Sequence, residues 1–224
     1  KEDYQSRILS LPQKFGSIAK CVVERIDGGA LLTSTLSYNQ NKQLVQTPDL
    51  VLQNIATYIN QYRMINDQVG FGFTLNERLF SGYVINFGVR FVVNYDRRSN
   101  PTEVKLNVIQ VIKDFFKIEK MQFKQSINLN DLQYNILGLD GVIGIKKLKL
   151  FQDGNSEYAT GRQLYYYKAD GKVIGTNSDY GFRYNFDEAD TGTNENIHSI
   201  IRPSVTSAVF ELRNPNQDIY GKVI

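Results

Sequence analysis

Tyr83-Val-Ile-Asn-Phe-Gly-Val-Arg-Phe-Val-Val-Asn-Tyr95 sets an apolar side chain at every odd position: Tyr83, Ile85, Phe87, Val89, Phe91, Val93 and Tyr95. The even positions read Val84, Asn86, Gly88, Arg90, Val92 and Asn94. Successive strand side chains point to opposite faces, so the run predicts one long β-strand with an apolar face and a mostly polar one. Gly88 is expected where the backbone is closely approached, by the helix that follows or by a partner. That helix opens at Asn100-Pro101-Thr102-Glu103, with Asn100 and Glu103 as a capping-box-like pair and Val104, Val108, Val111 and Phe115 as its apolar stripe. A half-buried sheet covered by a helix is the architecture of a scaffold.

Upstream, Asp3 reads as an N-cap, Tyr4, Ile8 and Leu11 share a helical face, and Pro12 stops that helix. Residues 18–26 read as a strand, Asp27-Gly28-Gly29 as a hairpin turn, and Leu31 to Tyr38 as its partner. Thr47 as N-cap and Pro48 at the first helical position open a second helix with the stripe Leu52, Ile55, Ile59 and Tyr62. Residues 65–75 are glycine-interrupted and β-leaning. Downstream of the long strand, Met121 to Phe123 reads as extended. Asn128 caps a short helix carrying Leu129, Leu132 and Ile136, Gly138 is its left-handed stop, and Val142 to Phe151 is a strand.

These elements give an α+β fold: two small strand-helix-strand sandwich modules, 1–78 and 79–151, followed by a β-rich, loop-rich interaction region, 152–224. In that last region Tyr165-Tyr166-Tyr167 and Val173-Ile174 read as a hairpin, Phe182, Tyr184 and Phe186 as a strand, and Val209 to Leu212 as another. It holds half of the fourteen tyrosines and would struggle to bury a core alone, so it is expected to lie against something.

Bulk properties bound the function. A net charge of +3 over 224 residues is too mild to argue for nucleic acid. The charge is uneven: residues 1–151 carry 19 Lys and Arg against 13 Asp and Glu, and 152–224 carry 7 against 10. Cys21 is the single cysteine, which excludes an intrachain disulfide and a thiolate metal cluster, and its apolar setting reads as buried. No apolar stretch approaches the ~18 residues of a membrane span and no signal peptide is read, so assembly in a reducing cytoplasm is expected. The sequence opens inside a helical pattern without an initiator Met, as a part of a longer protein would.

Chemistry-bearing motifs are sparse. His198 is the only histidine, so Ser/His/Asp or Cys/His catalysis would hang on one loop residue; a surface loop histidine is the simpler reading. Asp187, Glu188 and Asp190 lack calcium-loop spacing. Gly70-Phe-Gly72 lacks the third glycine and the helix of a phosphate cradle. Lys146, Lys147 and Lys149 read as the guard of an edge strand. No catalytic, cofactor-binding or metal-ligating residue is assigned, and no enzyme is expected. Exposed tyrosines favour interfaces, while an ordinary β-core is the competing reading.

Several segments together resemble the J-like baseplate family of contractile-tailed bacteriophages. They are Glu2-Asp3-Tyr4 with Leu11-Pro12-Gln-Lys-Phe15-Gly16-Ser-Ile18, the helix from Thr47-Pro48 to Asn66-Asp67, Tyr83 to Gly88, the helix from Thr102 to Phe116, and Leu139-Asp-Gly141-Val-Ile-Gly-Ile145. The end, Phe210-Glu-Leu-Arg-Asn-Pro-Asn-Gln-Asp218-Ile-Tyr-Gly221, is similar to the carboxyl terminus of the larger wedge members. The resemblance covers 1–151 and, loosely, 200–224, and the family's N-terminal half is missing. It implies a structural virion protein of the tail baseplate, assembled in the host cytoplasm. Such a wedge dimerises within a six-fold assembly and links neighbouring wedges into a ring around the hub. Its partners are wedge and hub proteins and the tail tube and sheath initiators, without enzymatic chemistry, cofactor, nucleic acid or membrane. Tyr165, Tyr166, Tyr167, Tyr180, Tyr184, Phe210 and Tyr220 are the candidate interface residues. The wedge of a contractile injection system or tailocin is the close alternative. A carbohydrate-binding tail module, prompted by the tyrosines, and a glycan hydrolase using carboxylates of 153–195 are the other classes.

Overall fold

Helices and strands both build the chain, in an α+β fold. The structure, a computed structural model, describes residues 2–25, 30–62, 68–70, 82–151, 166–168, 173–175, 186, 199–203 and 207–224. The first helix, α1 (Glu2–Leu9), buries Tyr4 and Ile8, one turn apart on the same face. Asp3 lies inside its first turn rather than capping it, and its carboxylate accepts from Arg7 Nε at 2.9 Å. β1 (Lys20–Arg25) pairs antiparallel with β2 (Ala30–Tyr38), as the hairpin reading expects; the turn between them lies outside the described residues. The far edge of β2 takes β3 (Leu44–Gln46) antiparallel. α2 (Asp49–Asn60) buries Ile55 and Ile59, and β4 (Gln68–Gly70) then joins β2 in parallel.

Two details of α2 differ from expectation. Pro48 itself occupies the N-cap position, because Thr47 turns inward, where its hydroxyl accepts from Ser37 Oγ at 3.3 Å. Tyr62 lies past the helix end on the exposed side, with the Arg7 guanidinium 4.3 Å over its ring. The strand alternation sends Cys21, Val23 and Leu31 toward Tyr4, Ile8, Ile55 and Ile59, closing a first apolar core. Leu36 and Leu44 belong to the second core, so this one sheet serves both.

The predicted long strand is two strands. β5 (Tyr83–Asn86) and β6 (Gly88–Tyr95) meet at Phe87 and belong to different sheets. α3 (Pro101–Phe115), β7 (Ile127–Asn128), α4 (Leu129–Leu137), β8 (Val142–Phe151), β9 (Tyr166–Lys168), β10 (Val173–Gly175), β11 (Ile200–Ile201), β12 (Ala208–Glu211) and β13 (Ile219–Val223) follow. One sheet runs β10-β9-β5-β12 and another β13-β6-β8; β11 pairs with β7. The cause of the split lies more than a hundred residues downstream. β12 runs parallel to β5 and β13 parallel to β6, but a turn between them interrupts the ladder opposite Phe87 and Gly88. Asn214 holds that turn, its carbonyl accepting from the Gln217 and Asp218 amides at 2.9 Å. Residues 208–224 therefore belong to the second core, and the boundary expected at 151/152 does not separate them from 79–151.

The alternation itself holds across the break. Ile85, Phe87, Val89, Phe91 and Val93 are all at 0 % exposure. The even face is wet only toward its far end: Val84, Asn86 and Gly88 are buried, Arg90 and Val92 half-buried, and Asn94 exposed. Phe87 meets Phe116 edge-on with ring centroids 4.9 Å apart and Phe210 at 6.3 Å. α3 is capped by Asn100 Oδ1, which accepts from Thr102 N at 3.0 Å. Its buried stripe is Val104, Val108 and Ile112; Val111 and Phe115 flank it half-buried. α4 is capped by Asn128 Oδ1 on Asn130 N at 3.1 Å and buries Leu132 and Ile136. Gly138 ends it in right-handed conformation (φ −74°), and the left-handed residue is Gly141 (φ +84°). Met121 and Phe123 are core residues without a strand around them.

Close approach, expected at Gly88, comes from a different side than α3. A methyl at Gly88 would stand 2.6 Å from Phe151 Cζ and 2.9 Å from the Asp218 carbonyl oxygen. Gly221 in β13 is tighter still and lies directly on the buried Phe91 ring. Gly144 in β8 is open, a methyl there meeting only Asn94 Nδ2 at 4.0 Å. Gly221→Ala is expected to destabilise the protein by about 1–3 kcal/mol through overpacking, while Gly144→Ala leaves stability within about 0.5 kcal/mol. Equilibrium unfolding in denaturant distinguishes them, and equal midpoints would contradict the packing of β13 on Phe91.

Candidate functional site

The polar side chains that apolar strands bury without an obvious local need converge where the first sheet meets the second core. Glu211 ends β12 in the register of Asn86 in β5, and both are buried, at 2 % and 1 % exposure. Glu211 Oε1 accepts from the Leu44 backbone N–H at 2.9 Å, which ties β12 to β3. Asn86 Oδ1 accepts from the Arg213 backbone N–H at 3.3 Å, and Gln43 Nε2 donates to the Arg213 carbonyl at 3.4 Å. Burial pushes the Glu211 carboxyl up to about 7, against the opposing pull of the Leu44 N–H and the Arg213 charge. Burial, followed by the charges of Glu119 and Glu211, also raises the Tyr38 phenol.

A second polar tie lies along β1. Lys20, on the face shared with Leu36, is buried and donates from Nζ to the Glu119 carbonyl at 3.3 Å; burial lowers its ammonium, partly offset by Glu119. Glu24 forms an ion pair with Lys124. The site is thus a seam of cross-core hydrogen bonds. A carboxyl titrating near 7 has the acidity of a general acid or base, but Glu211 is enclosed and committed to a backbone amide.

The sequence-based candidates disperse. Tyr165, Tyr180 and Tyr184 lie outside the described residues, as do His198, Asp187, Glu188 and Asp190. Tyr166 and Tyr167 belong to β9, whose Tyr167 stands in register with Val84 of β5 and Val173 of β10. Phe210 is 1 % exposed and packs on Phe87 and Phe186, so its ring serves the chain's own core rather than a surface. Tyr220 remains half-buried on β13, its ring 5.8 Å from that of Phe151. Lys147 and Lys149 of β8 stand in register with Val92 and Arg90 of β6, and β8 is an edge strand among the described residues. Cys21 is buried and its thiol is pushed up to about 12 by burial, the state of an inert core cysteine. Among the described residues no group of three or more His, Cys, Asp or Glu side chains could hold a metal ion, and no helix is long and apolar enough to cross a membrane.

Sequence reasoning missed Glu211 and Asn86. The signal was present: each is a lone polar residue inside an apolar run, Ala208-Val-Phe-Glu-Leu212 and Tyr83-Val-Ile-Asn-Phe87. No family model matches the chain, and no curated protein matches it.

Replacing Asn86 by Leu removes the acceptor of the Arg213 N–H and leaves that group without this bond. The expected cost is about 1–3 kcal/mol by equilibrium unfolding. An unchanged midpoint would show that the Asn86–Arg213 bond contributes nothing to the seam.

Proposed function

We propose that the chain is a structural component of a phage tail baseplate: a wedge scaffold that dimerises and links wedges into a ring around the tail hub. It touches wedge and hub proteins and the proteins that start the tube and sheath, and it resides in the virion. On this reading 1–78 and 79–151 are two strand-helix-strand modules of similar plan. The observation that carries the proposal is the order of elements from Glu2 to Ile145, with the similar ending from Phe210 to Gly221. The way buried polar groups are used supports it. Glu211, Asn86 and Lys20 bond across the chain to backbone groups, which suits a body that must transmit force without deforming. The equivalent wedge of a contractile injection system or tailocin needs the same properties.

Electron microscopy of the source particle tests the proposal. The expected result is density for this chain in a ring at the distal end of a contractile tail, with six-fold symmetry. A genome-filled head above that tail selects the phage; a headless tail selects the alternative. Absence of the chain from the baseplate, or its presence elsewhere in the particle, contradicts both.

A further inference from the structure

We propose that Glu211 is a proton-operated joint: its carboxyl stays enclosed between β3 and β12 while neutral, and ionisation, whose desolvation cost outweighs the stronger bond to the Leu44 N–H, loosens that attachment. The proposal rests on the geometry of the seam and is independent of any assembly the chain enters.

The bond at issue is long-range. Glu211 Oε1 and the Leu44 N–H belong to residues 167 positions apart, and Leu44 itself is fully buried. Gln43 Nε2 on the Arg213 carbonyl, at 3.4 Å, is the neighbouring bond of the same attachment. Glu211 Oε2 is buried and has no hydrogen-bond partner among the described residues. A neutral carboxyl tolerates that enclosure far better than a carboxylate, whose desolvation is costly unless it is paired and hydrogen-bonded.

Among the described residues the surrounding charges are few. β3, Leu44-Val45-Gln46, carries no ionisable side chain, and β5 sets the neutral Asn86 in register with Glu211. Tyr38 of β2 is near enough for the Glu211 charge to help raise its phenol, after burial and Glu119. Arg213, two residues on in the chain, is the one cation among the described residues that acts on the carboxyl, and it pulls against burial.

Burial, the largest cause, lifts the group from 4.5 to about 7. The folded chain then holds a proton that the unfolded chain has lost between those two values. The contribution of Glu211 to stability is therefore greatest on the acid side, falls as pH rises from 4.5 toward 7, and levels off above. Each pH unit across that window is worth up to a factor of ten in the folding equilibrium, so the whole effect reaches roughly 300-fold.

The full chain is the right sample, and carbon-13 NMR of the Glu211 side-chain carboxyl is the direct readout. The expected midpoint is near 7, moving upward in Arg213→Met, where the Arg213 charge is removed. Exchange of the Leu44 amide, corrected for its intrinsic pH dependence, is expected to accelerate by roughly ten- to a hundredfold between pH 5.5 and 8.5 in the parent chain and to stay flat in Glu211→Gln. A carboxyl midpoint in the ordinary carboxylate range overturns the proposal. So does an equal acceleration at Leu44 in Glu211→Gln. If that variant does not fold, the parent titration and its shift in Arg213→Met still decide the matter.

Discussion

A strand buried on both faces must have its backbone groups satisfied along both edges, and this constraint organises the second core. From Ile85 to Val93 the chain gives up its odd face entirely to the interior, and Val84, Asn86 and Gly88 leave little of the near even face to water. Both edges are covered by sequence-distant segments. β9 and β12 flank β5, and β8 and β13 flank β6. The last seventeen residues thus run beside the long apolar run, in parallel, as part of the fold's interior. The Asn214 turn lets them do so in two steps, which is why the run is split between two sheets at Phe87.

The same return of the chain creates the seam. Once β12 lies beside β5, its last side chain reaches the edge of β3 in the first sheet, and the two cores become joined by polar bonds as well as by Leu36 and Leu44. Apolar contact alone would leave this junction free to slide, because burial is non-directional. Hydrogen bonds from Glu211, Asn86, Gln43 and Lys20 to named backbone groups give it a register. The placement of an ionisable group in that register makes its rigidity a function of pH.

Much of the local structure was legible in the sequence. The hairpin of β1 and β2, the helix caps at Asn100 and Asn128 and the strand ending at Phe151 follow from alternation, capping chemistry and turn residues, all local signals. What was not legible is non-local. The apolar alternation of the sequence runs unbroken through Phe87, so the change of hydrogen-bond partner leaves no trace in the pattern. The role of 208–224 was hidden for the same reason: Val209 to Leu212 reads as a strand, but nothing within it names β5 as the partner. Phe210 illustrates the consequence, since an aromatic chosen for an interface proves to be a core residue facing Phe87. Thr47 and Gly138 show the smaller failures, where tertiary contact or a neighbouring residue took over a task that local preference assigns elsewhere.

The carboxyl-terminal strands are integral to the second core. Native-state hydrogen exchange measures this directly at the amides of Phe87, Val89 and Tyr95, which donate to the carbonyls of Glu211, Asp218 and Ile224 at 3.3, 2.8 and 3.3 Å. Exchange of these amides only through global unfolding, with the same opening free energy as the amides linking β6 to β8, is the expected result. Faster exchange at these three while the β6–β8 amides stay protected would contradict it, and would make 208–224 a detachable strap.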